Sequence, residues 1–168
     1  LDPRSNREAI MRLPLQLNSL AAAFAAAAKL VDLATTQANT TSEARDEREI
    51  TALQEAYGKG ATGRGMATGA AKAIKELEKE QKSRATRMVR DSIDGALLDI
   101  ATFYRDVMMV QAGSDDAMIN TDMTEMIHQY ASTHSHHSTV VKMEAIMQSR
   151  VNLAHNGAPL LTCEALMC

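Results

Sequence analysis

The sequence is poor in aromatic residues, cysteine and proline. Of its 168 residues, two are Phe, three are Tyr and none is Trp, with three Pro and two Cys. Cys163 and Cys168 are too few for a disulfide framework, which favours a reducing cytoplasm. The apolar fraction of 45% therefore comes mainly from Ala, Leu and Met. These residues favour helices, so the composition predicts an all-α domain.

The chain also lacks a large excess of one charge and a long apolar run. A net charge of -3 provides no overall basic field for holding nucleic acid. The Ala-rich stretch 20–33 is interrupted by Lys29 and Asp32 and is shorter than the roughly 20 residues of a membrane span. Because the sequence does not begin with Met, we expect a fragment of a longer protein. Because it opens with the charged segment Leu1-Asp2-Pro3-Arg4, we expect no signal peptide.

Helical periodicity predicts an antiparallel bundle of five or six helices. A short helix over 5–12 ends before Pro14, and we interpret residues 1–14 as the tail of a preceding domain. Residues 15–168 are then a single helical domain.

Two more helices are predicted between residues 15 and 58. The first runs from Leu15 to about Asn39, and the second follows caps at residues 40–42 and ends at Gly58. The apolar stripe of the first consists of Leu17, Leu20, Ala21, Phe24, Ala28, Val31 and Ala34, and that of the second of Ile50, Leu53 and Tyr57.

Residues 58–69 hold five of the eight glycines and are predicted to be a flexible loop. The loop contains GxGxxG over residues 58–63, the letters of a dinucleotide-binding turn. That function requires a strand before the loop, whereas here a helix precedes it. A linker is therefore favoured over a phosphate-binding loop, and we expect no cofactor.

Residues 70 to about 111 contain no proline and are predicted to form one very long helix. Opposite charges four residues apart, including Glu80 with Arg84 and Arg90 with Asp94, support it. The apolar face of its second half consists of Ala85, Met88, Val89, Ile93, Ala96, Leu97, Ile100, Phe103, Tyr104, Val107 and Met108.

The same helix carries a basic stretch of Lys82, Arg84, Arg87 and Arg90. A solvated face of salt-bridged residues is the favoured interpretation. The alternative is a helical nucleic-acid-binding module that uses these four side chains for DNA phosphates.

Three further helices are predicted after a turn at residues 113–116. One is capped by Asp122 and ends near Ser132, and the next is capped by Ser138 or Thr139. The apolar face of the latter includes Val140, Val141, Met143, Ile146, Met147, Val151 and Leu153. Gly157 is expected to stop it, and Pro159 to precede the last helix, 160–168.

No pattern predicts catalysis or a resident metal. The cluster His134–His137 lacks two ligands spaced for one helical face and a nearby Cys or acid, so a solvated loop is favoured. Asp99 and Asp106 are assigned solvation or capping by default. No enzymatic motif is present, and we expect no activity from this chain.

Several segments carry a family resemblance. They are residues 77–87, Arg90-Asp91, residues 98–107, Asn120-Thr121-Asp122, residues 145–150 and residues 156–166. In their order, these segments resemble the C-terminal domain of delta-prime subunits of bacterial DNA polymerase III clamp loaders, actinobacterial type. The aromatic-x-Arg-Asp core and the Asn-x-x-Pro-x-Leu-x-x-Glu segment resemble clamp-loader subunits more broadly.

The resemblance implies a collar domain that packs beside tau/gamma-type and delta subunits during DNA replication. The ATPase-like part of the parent would lie outside this sequence, and the localisation would be cytoplasmic, at the replisome. The residues implied in packing or assembly are Phe103, Tyr104, Arg105, Asp106, Asn156, Pro159 and Glu164. Self-association of the isolated chain and weak DNA contact stay open.

Overall fold

The computed structural model describes residues 3–57, 64–114 and 118–168, and the predicted all-α fold is confirmed. These residues contain no strand. The described part of the chain has six α-helices, α1 (Pro3–Met11), α2 (Leu20–Ala56), α3 (Arg64–Gln111), α4 (Thr124–Thr133), α5 (His136–Ala154) and α6 (Pro159–Met167). Short 3₁₀ helices cover Leu13–Gln16 and Thr121–Met123. No helix in the described part of the chain is long and apolar enough to cross a membrane.

The chain forms two compact units. The larger unit comprises Leu1–Ala34 and Ile93–Cys168, and the hairpin unit comprises Thr35–Ser92. In the larger unit, α1 and the first 3₁₀ helix bury Ile10, Met11 and Leu13. The boundary expected at residue 14 stays a prediction, although residues on both sides of it belong to this unit.

The second half of α3 provides the central apolar face of the larger unit, as its periodicity predicts. Its buried residues are Ile93, Ala96, Leu97, Ile100, Ala101, Phe103, Tyr104 and Val107. Helices α4 to α6 add Ile127, Tyr130, Ile146, Leu153, Cys163 and Met167 to the buried set. Burying apolar area of this kind is the main favourable contribution to folding.

Helix α2 is continuous, so the break predicted near Asn39 is wrong. The hydroxyls of Thr40 and Thr41 donate to the carbonyls of Thr36 and Gln37, at 2.8 and 2.9 Å. Ser42 donates likewise to Asn39. Hydroxyl residues can bond back to the preceding turn as well as cap a helix, and here they do the former.

The predicted apolar face of the first part of α2 is also wrong, except at Ala34. The buried residues are Ala23, Ala26, Ala27, Leu30 and Ala34. Leu20 and Phe24, which the periodicity assigned to the core, are 62% and 44% exposed. The face is rotated because this stretch is apolar on nearly every side, so hydrophobicity alone does not select which side packs.

Helix α3 begins at Arg64, so residues 64–69 are helical and not part of a loop. Residues 58–63, which contain the GxGxxG letters, lie outside the described residues. At the other end Gly113 adopts a positive φ of 74°, and the Ser114 N–H donates to the Met109 carbonyl at 2.9 Å. This six-residue closure is a Schellman-type helix end, which favours glycine. Asp115 and Asp116 are outside the described part.

The predicted caps of α4 and α5 are wrong. Asp122 lies in the 3₁₀ helix that precedes α4, and the N-cap position of α4 is Met123. For α5 the cap is Ser135, whose hydroxyl accepts from the Ser138 N–H at 3.2 Å. Histidines 136 and 137 therefore form the first turn of α5 and do not belong to a loop.

The stop between α5 and α6 depends on Asn156 as well as Gly157. Asn156, not the glycine, has the positive φ, 64°, and asparagine tolerates this conformation better than most residues. The Gly157 N–H donates to the Asn152 carbonyl at 2.8 Å. A Cβ on Gly157 would lie 2.8 Å from that oxygen, so the close approach requires glycine. Pro159 is at the start of α6, as predicted.

Candidate functional site

Three aromatic rings form a cluster in the core of the larger unit. Phe103, Tyr104 and Tyr130 contact one another edge to face, with centroid distances of 5.4, 5.4 and 5.7 Å. All three are buried, which accounts for three of the five aromatic residues of the chain. Edge-to-face pairs add to the stabilisation from burial alone. Phe103 and Tyr104 therefore pack inside the larger unit, against each other and against Tyr130.

The Tyr130 side of the cluster is polar. Lys142 Nζ donates to the Tyr130 hydroxyl at 2.6 Å. Burial, followed by the neighbouring Tyr130, raises the pKa of Tyr104 above its ordinary value. The Tyr104 hydroxyl therefore stays neutral.

Asp106 is a fully buried carboxylate, so the default assignment of solvation or capping is wrong for it. It accepts the Ile119 and Asn120 backbone N–H groups, the latter at 2.7 Å, and the Asn120 side-chain amide at 2.8 Å. Arg105 Nη1 lies 2.7 Å from the same carboxylate. A buried charge is tolerated when it is paired and hydrogen-bonded in this way.

The network continues to the first helix. Arg7 of α1 donates to Asp99 Oδ1 at 3.0 Å and also to the side-chain oxygen of Asn120. Asn120 therefore connects the Asp106 carboxylate to α1 and does not cap a helix with its side chain. The network fixes α1 and the 118–123 segment against α3, although each residue alone resembles an ordinary surface polar residue in the sequence.

The other three residues implied in assembly lie near the end of the chain. Asn156 is exposed at the turn after α5, and Pro159 is the first residue of α6. Glu164 is half-buried, and its backbone carbonyl accepts the Cys168 N–H. Asn156 and Pro159 therefore have local structural roles, Asn156 in the turn after α5 and Pro159 at the start of α6.

The hairpin unit contains a polar cluster between its two helices. Arg84 Nη2 lies 2.5 Å from both Asp46 Oδ1 and Glu49 Oε2. Gln81 donates to the Asp46 carbonyl at 3.0 Å. The α2 and α3 segments of this unit run antiparallel. Tyr57, just after α2, lies beside Gly69 near the start of α3, whereas Asp46, earlier in α2, contacts Gln81 and Arg84 farther along α3.

The predicted partner of Arg84, Glu80, is therefore replaced by two acids of α2. Arg84 keeps its positive charge, but the two carboxylates compensate that charge and occupy its Nη2 group, which disfavours binding of a phosphate. Lys82 and Arg87 are exposed and Arg90 is half-buried. Asp94, the predicted partner of Arg90, instead accepts two hydrogen bonds from Arg150 of α5, at 2.6 and 2.9 Å.

Arg84 also changes the titration of Glu49. Its hydrogen bond, followed by that of Arg45, lowers the pKa of the Glu49 carboxyl to about 2. Since the folded-state pKa is lower than the unfolded one, this pair contributes stability above pH about 4.5 and loses it as the pH falls toward 2. The contribution is modest because the Glu49 side chain is 28% exposed.

We expect Arg84→Met to raise the pKa of Glu49 toward its ordinary value, with Arg45 keeping part of the depression. The measurement is a carboxyl-carbon NMR titration of both proteins. Arg48→Met, at an exposed arginine of the same helix, is the control and should leave the Glu49 titration unchanged. A Glu49 that titrates like a free glutamate before any substitution would contradict the assigned hydrogen bonds.

The histidines do not converge on a metal site in the described residues, where no group of three or more His, Cys, Asp or Glu side chains could hold an ion. His134 stacks on Tyr130 with a centroid distance of 3.7 Å.

Burial raises the pKa of the Cys163 thiol to about 11, so it is protonated near neutral pH.

Large apolar side chains remain exposed on the last two helices. On α5, Val141, Met147 and Val151 are 48%, 41% and 48% exposed, although they belong to the apolar repeat of this helix. On α6, Leu160 and Leu161 are 43% and 67% exposed. The buried side of α5 instead includes the polar residues Thr139 and Ser149.

The sequence analysis missed Tyr130, Lys142, Arg7 and the two acids that bind Arg84. No local spacing identifies these residues, since their partners lie between 12 and 113 positions away in the chain. Comparison with known proteins gives no further identification: no family model, no curated protein and no solved structure matches the chain.

Proposed function

We propose that this chain is a noncatalytic helical assembly domain that packs against other proteins through α5 and α6. The observation that carries the proposal is the exposure of Val141, Met147, Val151, Leu160 and Leu161. Isolated exposed apolar residues are common on any protein. Five on two consecutive helices near the end of the chain are more typical of a surface that another protein covers.

The specific assembly that we propose is the collar of a bacterial DNA polymerase III clamp loader. Its support is the resemblance in the segments from residue 77 onward, together with the all-α fold that a collar domain requires. The motif residues Phe103, Tyr104 and Asp106 are buried and would build the domain. The apolar residues of α5 and α6 would then contact the tau/gamma-type and delta subunits.

The experiment is co-purification of the chain with those subunits, comparing Leu161→Glu with Leu20→Glu. Both leucines are more than 60% exposed in the larger unit, but Leu20 lies on α2. We expect Leu161→Glu to weaken the complex by about tenfold or more, as charges do at the centre of an interface, and Leu20→Glu to have little effect.

The two levels of the proposal fail differently. Equal effects of the two variants would contradict a binding role for α5 and α6. A chain that binds none of the loader subunits, and whose removal from the parent leaves loader assembly intact, would contradict the clamp-loader assignment. Circular dichroism of each variant confirms that a lost complex does not reflect unfolding.

A further inference from the structure

The larger unit contains an apolar groove of about 390 Å³ between the first 3₁₀ helix, α3, α5 and the end of α6. Its walls include Leu17, Ile100, Val141, Ile146, Leu166 and Met167. This volume is within the range of small-molecule pockets, about 300–1,000 Å³. The groove is therefore large enough for an aliphatic chain.

Lys142 is the one residue with a charged side chain among those that line the groove. Its ammonium is held in place by the Tyr130 hydroxyl and lies 5.9 and 5.3 Å from the ring centroids of Tyr104 and Tyr130. An ammonium has three N–H donors, and this bond uses one. Within the described chain, no acidic side chain forms an ion pair with Lys142.

Tyr104 also lines the groove, but its hydroxyl does not supply a negative charge to balance Lys142. Burial raises the pKa of Tyr104, so its phenol is neutral at physiological pH. The groove thus combines apolar walls with one oriented and uncompensated cation. The ligand complementary to both features has an aliphatic body and an anionic head.

We propose that this groove binds a single-chain aliphatic carboxylate, with its hydrocarbon chain along the apolar walls and its carboxylate accepting hydrogen bonds from Lys142. A charge-assisted hydrogen bond of this type is worth about 1.5–3 kcal/mol, or roughly ten- to a hundredfold in affinity. The inference goes beyond the assembly function. The two proposals share Val141, but Lys142 belongs to the groove alone, so variants of Lys142 test the groove separately from Leu161→Glu.

The experiment is isothermal titration of the full chain with dodecanoate below its micelle concentration, and in parallel with dodecanol. We expect dodecanoate to bind at least about tenfold more tightly than the alcohol. Lys142→Met should remove this preference. Lys29→Met, at an exposed lysine on α2 of the same unit, is the control and should keep it.

Ala145→Trp, which adds bulk in the groove, should abolish binding of both ligands, and Lys142→Gln provides a second test of the head group if the Met variant unfolds. Three results would overturn the proposal. They are no binding of dodecanoate, equal binding of the acid and the alcohol by the unsubstituted chain, and a dimer that Ala145→Trp converts to monomer. The last would assign the groove to a second copy.

Discussion

Phe103→Ala is expected to destabilise the larger unit by about 3–5 kcal/mol, because Phe103 is fully buried and contacts both Tyr104 and Tyr130. The loss combines the transfer energy of the ring, the cavity that remains and two edge-to-face contacts. Since a domain is stable by only about 5–15 kcal/mol, the change removes a large part of the total. Urea denaturation followed by circular dichroism measures it.

The other phenylalanine provides a matched control. Phe24 is 44% exposed on α2, so Phe24→Ala removes the same atoms from a helix without opening a cavity. Surface substitutions of this kind change stability by about 0.5 kcal/mol or less, and alanine favours the helix. Similar losses for the two variants would contradict the assignment of Phe103, rather than Phe24, to the core.

This pair of residues also shows what the sequence could and could not predict. Both phenylalanines recur with helical period among apolar neighbours, and both were assigned to buried faces. The prediction is confirmed on α3, where charged residues surround the apolar stripe and define one side. It is wrong on α2, where alanine surrounds Phe24 and the pattern has no polar side to orient it.

Helix boundaries follow the same distinction between local and distant causes. The end of α3 at Gly113 and the start of α6 at Pro159 depend on residues within one turn, and the sequence identifies both. Thr40 and Ser42 can either cap a helix or bond to the preceding turn, so local sequence does not decide. In α2 they take the second option, and one helix replaces the predicted two.

The candidate sites depend on contacts that no spacing rule reveals. Arg84 has an acid four residues earlier, which makes a local pair the default, but it binds Asp46 and Glu49 across the hairpin. Lys142 receives its position from Tyr130 on another helix. These choices depend on which helix faces meet, and that follows from packing of the whole unit and not from the sequence near either residue.

Asp106→Ala is expected to cost about 3–5 kcal/mol, since the Ile119 and Asn120 N–H groups that donate to this buried carboxylate would lose it as an acceptor. The backbone N–H of Asn120, a residue only 1% exposed, would lose its acceptor, and the side-chain amide would keep only the Thr102 hydroxyl, at 3.3 Å. Urea denaturation measures the loss. Hydrogen exchange at the Asn120 backbone amide should also accelerate by more than the loss in free energy of unfolding predicts, because its acceptor is gone.

Asp91→Ala is the matched control, because Asp91 is an exposed acid on the same helix, and we expect a change of about 0.5 kcal/mol or less. Asp106→Asn keeps the side-chain shape and one acceptor oxygen, but its amide group opposes the N–H donors of Asn120. An intermediate loss of about 1–3 kcal/mol is therefore expected. If Asp106→Ala were as stable as Asp91→Ala, the buried carboxylate would not hold the 118–123 segment. Its position would then have to come from the apolar contacts of Met123 and Ile127 alone.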